Sequence, residues 1–171
     1  MDTSSADRAA QYNEMRARPD IEQITQRYED LRTAIRDRLT QGIGLPSMVP
    51  VRKGGASGCR DFPAVEQALK ESRGLPGYYT EANIPDDKWP DAVRIVTEIA
   101  SPYGFTTVVT VVDQPGDHEI SLSDEYGGEL IFGTKLATIL SARTGCHLFP
   151  EGQRLGSTSP TPTTAPPPST T

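Results

Sequence analysis

Cys59 and Cys146 are the only two cysteines in the chain, 87 positions apart. What they do decides which chemistry the other residues can support. In an oxidising compartment two lone cysteines pair. In the loop-closure picture, a bridge across that separation contributes roughly 4–5 kcal/mol to stability. The competing chemistry is a thiol nucleophile, Cys59 with His118 or His147 as its base. Such a nucleophile must be free and activated. Neither Gly58-Cys59-Arg60-Asp61 nor Gly145-Cys146-His147 resembles a protease signature. The Cys59–Cys146 disulfide is therefore the expectation, and it would tie the loop before the second strong helix to the last strand. Zinc needs three or four ligands at suitable spacing. The two Cys and two His contain no CxxC and no HxxxH, and His147 should point to the opposite side of a strand from Cys146. No metal and no cofactor is expected.

The acids are unevenly placed. Between residues 113 and 129 lie Asp113, Asp117, Glu119, Asp124, Glu125 and Glu129, with no Lys or Arg, and this stretch alone accounts for the net charge of −6. Calcium would want several carboxylate oxygens at EF-hand spacing. That spacing is missing, so a solvated hairpin with a protected edge is the simpler reading. Nucleic acid is excluded as a partner, because phosphate neutralisation needs a concentrated basic surface. His118 shares an alternating face with Ile120, which predicts a partly buried, hydrogen-bonded ring. Tyr78, Tyr79 and Trp89 are the ligand-binding candidates, since aromatic side chains give large contact areas in pockets. Tyr78 and Tyr79 are adjacent, so in a strand one of them faces outward. No GxGxxG, P-loop, HExxH or GxSxG pattern occurs. If the protein were nonetheless an enzyme, Asp61, Asp86 or Glu119 would be the acid–base candidates.

Two helices must position these residues. Asp20 and Gln23 form a capping-box pattern. Ile21, Ile24, Tyr28, Leu31, Ile35 and Leu39 then recur every three or four residues, until Gly42 and Gly44 stop the helix. Its opposite face, with Glu22, Arg27, Glu29, Asp30, Arg32, Arg36, Asp37 and Arg38, reads as solvated. The second helix is capped by Asp86 or Asp87, has Pro90 in its first turn, and ends at Gly104. Residues 6–16 suggest a weaker helix and residues 63–72 a short one. Strands are expected over 47–53, at an edge because of Pro50, and over 75–83, 106–113, 117–123, 129–134, 136–143 and 146–149. The fold class is α+β: a mainly antiparallel sheet of about five or six strands, with two or three helices packed on one face. Residues 1–18 read as a polar N-terminal segment and 19–151 as a single globular domain. Residues 152–171 read as a disordered Ser/Thr/Pro-rich tail.

No apolar run approaches the ~20 residues that span a bilayer, and the start, Met-Asp-Thr-Ser-Ser, has no signal-peptide character. A cytoplasmic protein and the mature part of an exported one both fit; the cysteines and the tail favour the second.

Several segments, in order over roughly residues 20–150, resemble the LppA-like lipoproteins of mycobacteria. They are Arg27-Tyr28-Glu29 leading to Ile35-Arg36-Asp37-Arg38-Leu39, then Gly58-Cys59, and Ile84-Pro85-Asp86-Asp87-Lys88-Trp89-Pro90. Tyr103-Gly104-Phe105, Gly127-Gly128-Glu129-Leu130 and Arg143-Thr144-Gly145-Cys146-His147-Leu148 follow. The resemblance implies a precursor lipidated at a cysteine just after its signal, and a domain held on the outer face of the plasma membrane. It carries over no catalytic residue. This sequence has no lipobox, so the anchor lies outside it or the protein is not anchored. The function expected is a non-catalytic binding or interaction domain of the cell envelope, a monomer, that takes a small apolar or envelope ligand or a protein. An enzyme acting on envelope components and a structural envelope spacer are the alternatives.

Overall fold

The computed structural model describes residues 5–155. Its elements are α1 (Ser5–Arg16), α2 (Ile21–Ile43), β1 (Val49–Val51), β2 (Gly55–Ser57), β3 (Lys70–Gly74), β4 (Gly77–Thr80) and α3 (Trp89–Ala100). There follow β5 (Thr107–Gln114), β6 (Asp117–Ser123), β7 (Glu129–Thr134), β8 (Thr138–Arg143), β9 (His147–Leu148) and α4 (Pro150–Leu155). The class is α+β. The sheet has nine strands, more than expected, of which six form one path in the order β1-β4-β8-β7-β6-β5. All pairings are antiparallel. β2, β3 and β9 form a side branch that joins β8 through Gly74 opposite Arg143.

α2 forms where its sequence says it should. The Asp20 carboxylate accepts from the Gln23 N–H and the Gln23 side chain accepts from the Asp20 N–H, both at 2.9 Å. Gly44, at φ 72°, ends the helix in a left-handed turn. Gly42 is inside the helix: a Cβ there would lie 2.7 Å from Ile95 Cδ1, so its hydrogen lets α2 and α3 approach. Ile21 through Leu39 form a fully buried stripe. With Trp89, Ala92, Ile95 and Val96 of α3, they cover the face of the sheet that carries Ile120, Leu122, Leu130, Phe132 and Leu140. On the opposite face, Val49 and Ile139 are exposed.

A second, smaller core contains Met15, Val65, Cys146 and Leu148, with Tyr12, Cys59, Phe62 and Leu69 against it. Cys59 and Cys146 are joined in a disulfide with Cα atoms 5.8 Å apart. α1 therefore contributes to the fold through Met15, although its sequence reads as polar. The Ser/Thr/Pro-rich tail lies outside the described residues from position 156, whereas residues 152–155 belong to α4.

Three local expectations give way to tertiary contacts. Residues 63–72 are not a helix: a 3-10 turn at Gln67–Leu69 leads into β3, which pairs with β2 and β9. Lys70 is buried there, and its ammonium donates to the carbonyls of Asp61 and Phe62 at 2.8 Å. Arg32 does not lie on a solvated face; it is 2% exposed, at 4.4 Å over the Tyr78 ring. It donates to both Glu29 oxygens at 3.0 Å and to the Pro76 carbonyl. Asp86 and Asp87 do not cap α3, whose N-cap is Lys88 with no side-chain cap bond. Asp86 instead accepts from the Gly116 N–H at 2.7 Å and from His118 Nε2 at 2.8 Å.

His118 is 7% exposed, and its Nδ1 meets Asp113 at 2.9 Å. Its ring stacks on Trp89 with centroids 5.1 Å apart, and Trp89 stacks on Phe132 at the same distance. The array fastens the β5–β6 hairpin to the entry of α3. Both partners are carboxylates, which only accept when ionised, so each ring nitrogen must donate and the ring carries its charge.

Burial pulls the His118 pKa down, but the hydrogen bonds and charges of Asp86 and Asp113 outweigh it, and the net shift is upward. The Gly116 N–H and then His118 hold Asp86 below its ordinary value. The His118 contribution is therefore complete below the unfolded value of about 6.5 and lost as pH rises through the higher folded value. The Asp86 contribution is present above about pH 4 and lost as pH falls through its lowered value. Thermal melts from pH 3 to 9 should show stability falling on both sides, and His118→Gln should flatten the alkaline fall. Replacing both Cys59 and Cys146 by Ser should cost about 4–5 kcal/mol in denaturant unfolding. The oxidised wild-type protein, denatured, should titrate with no free thiol.

Candidate functional site

The sheet divides at β8. β4 pairs with its residues 138–140, while β3 meets it at Arg143. Between the two branches the chain turns through Leu75 and Pro76, with the Leu75 N–H held by the Ala142 carbonyl at 2.9 Å. On the helix-free side this fork leaves a groove of about 500 Å³, within the range of small-molecule sites. Its walls are Val51, Leu75, Tyr79, Ile139 and Leu140, and its rim carries Arg52 and Lys53.

The side-chain period of two explains the walls. Val49, Tyr79 and Ile139 lie opposite one another across β1, β4 and β8, on the face away from α2. Ile139 is 42% exposed and Val49 55%, so this is apolar surface left in water. Glycines make the room. A Cβ on Gly54 would sit 2.5 Å from the Gly74 carbonyl oxygen, so only glycine lets the β1–β2 connection pass so close to β3. At Gly77 the nearest atoms to a Cβ would be 3.7 Å away, so a side chain there would enter the groove without forcing the backbone.

The three aromatic candidates are not brought together. Tyr79 lines the groove. Tyr78 (6% exposed) and Trp89 (7%) are core residues, the first under Arg32 and the second between His118 and Phe132. The outward tyrosine expected of the Tyr78–Tyr79 pair is thus Tyr79. Reading the sequence did not single out Val51, Arg52, Lys53 or Ile139. The available signal was a basic pair followed by Gly54-Gly55 in an acidic chain.

The alternative chemistries find little to work with. Cys59 is bonded to Cys146 and is no nucleophile. His118 has both ring nitrogens engaged by carboxylates. His147 is buried, donates from Nδ1 to the Pro19 carbonyl at 2.8 Å, and is held below its ordinary pKa chiefly by burial. Asp61 and Glu119 are not part of the His118 array. Among the described residues no three His, Cys, Asp or Glu side chains are grouped to hold a metal, and no helix is long and apolar enough to cross a membrane.

A crystal structure of the lipoprotein LppA from Mycobacterium tuberculosis superposes with a TM-score of 0.66 at 15% identity, covering 89% of this chain and 93% of that one. A DUF4853 family protein from Actinomyces odontolyticus superposes at 0.53 with 14% identity, covering 78% of this chain and 71% of its own. At these identities the likeness is one of fold. No curated protein matches the sequence. The LppA family model, described as a lipoprotein confined to pathogenic Mycobacterium, matches residues 1–150. A match over that share of the sequence makes this chain a member of the LppA lipoprotein family.

Proposed function

We propose that this chain is a non-catalytic binding domain, held on the outer face of the plasma membrane by a lipid anchor, and that its groove takes the apolar chain of a small ligand. The observation that carries the reading is the groove itself: apolar walls on the uncovered face of the sheet, with space opened by glycine rather than by mobile side chains. Lipoprotein family membership supports the location. A disulfide-closed core suits an oxidising compartment. A thiol nucleophile would need a free cysteine, and Cys59 is bonded to Cys146, while both ring nitrogens of His118 are engaged by carboxylates.

Drug-sized ligands gain about 0.3 kcal/mol per heavy atom, so one of roughly twenty heavy atoms binds at about 6 kcal/mol, or tens of micromolar. Titrating the protein with a neutral dansyl-labelled dodecyl amide should give saturable one-to-one binding in that range. Gly77→Leu should reduce it at least tenfold while leaving the melting temperature nearly unchanged. Non-saturable binding, or full affinity in Gly77→Leu, would remove the groove as the site.

A further inference from the structure

The groove's walls are apolar, but its rim has a sign. The chain has 23 acids against 17 bases, yet no carboxylate lines the groove while Arg52 and Lys53 do. Other cations are committed to carboxylates: Arg32 is held by Glu29, and Arg73 by Glu22 and Glu71. Among the described residues, no ion pair engages the side chain of Arg52 or Lys53. Across the Gly54–Gly55 segment, Glu29 shares a smaller depression with Arg73, and both its oxygens are already on Arg32. The backbone adds an independent observation. Arg52 stands at φ 63°, in the left-handed region that non-glycine residues rarely occupy. A cation kept in that conformation, beside glycines that would adopt it more readily, is an outlier of the kind that clusters at binding sites.

We infer that the ligand of this groove is a single-chain amphiphile with an anionic head, carboxylate or phosphate, its chain along Val51, Leu75, Tyr79 and Ile139 and its head between Arg52 and Lys53. The inference rests on the binding role proposed above and adds the charge of the ligand. Burying a chain requires only apolar walls; orienting it requires a group at one end that prefers the head to water. Arginine supplies a planar fork that matches a carboxylate or phosphate, and lysine a second point charge. The Tyr79 hydroxyl and the Ser141 hydroxyl are further polar groups of the lining.

The test uses dodecanoate, dodecyl phosphate, dodecanol and dodecyltrimethylammonium, each below its micelle concentration, competing with the dansyl amide at low ionic strength. At least one anion should bind ten times more tightly than dodecanol, and the cation more weakly than either anion. The anion advantage should shrink at about 0.5 M salt, where screening extends over only a few ångströms. The double variant Arg52→Gln/Lys53→Gln should abolish the advantage and leave dodecanol unchanged. If both anions bind no better than dodecanol, or the double variant keeps the preference, the head-group assignment falls and the apolar groove stands. If none of the four competes, the binding role itself falls. Arg52→Gly serves as a control for the backbone: it relieves the left-handed strain while removing the charge, so it should lose anion preference without losing stability.

Discussion

Ile120, Leu122, Leu130, Phe132 and Leu140 face the stripe of α2 and the apolar side of α3, and this one-sided burial is the contact from which the rest of the molecule follows. Strand side chains alternate between faces, so every residue sent inward to the helices sends its neighbour outward into water. The outward set has no such cover from α2 and α3. Val49 and Ile139 are exposed and Tyr79 half-buried for that reason. What turns exposed apolar surface into a groove is the division of the sheet at β8 and the glycines at that division.

The smaller core solves a different problem. β3 and β9 form a short pairing at the margin of the main core, tied to α2 by the Arg73–Glu22 ion pair but with few apolar residues to hold it. The disulfide, Met15 from α1 and the buried Lys70 together keep that branch against β8. Arg18 adds to this by donating to the Tyr126 and Cys146 carbonyls at 3.1 and 2.8 Å, joining the chain before α2 to the turn between β6 and β7 and to the bridge. The branch forms one side of the fork, and Gly74 and Leu75 at its end line the groove.

The polar groups inside the fold follow the same economy. Arg32 and Lys70 are buried where the sequence suggested a solvated face and a short helix, and His118 is buried as its alternating face predicted. Each has two or more defined acceptors or partners, although the Arg32 Nε has none. Such groups are costly if a partner is removed. They hold segments that have little else in common: α2 to the turn after β3, the loop at Asp61 and Phe62 to β3, and the β5–β6 hairpin to the entry of α3.

By itself the sequence determined whatever depends on neighbours close along the chain. The α2 stripe and its capping box, Pro90 in the first turn of α3, the bounds of β6 and β7, and Pro50 on an edge strand were legible because period, caps and proline geometry act within a few residues. The pairing of Cys59 with Cys146 was legible because no other partner existed. Residues 63–72 misled, since their apolar spacing fits a helix while from Lys70 onward the backbone pairs with β9 and β2. Arg32 and Asp86 misled similarly, because burial beside Tyr78 or a bond to His118 is decided by which surfaces meet. Only the tertiary structure assembled the groove: its lining comes from four separate stretches of chain, and spatial convergence leaves no periodic trace in any one of them.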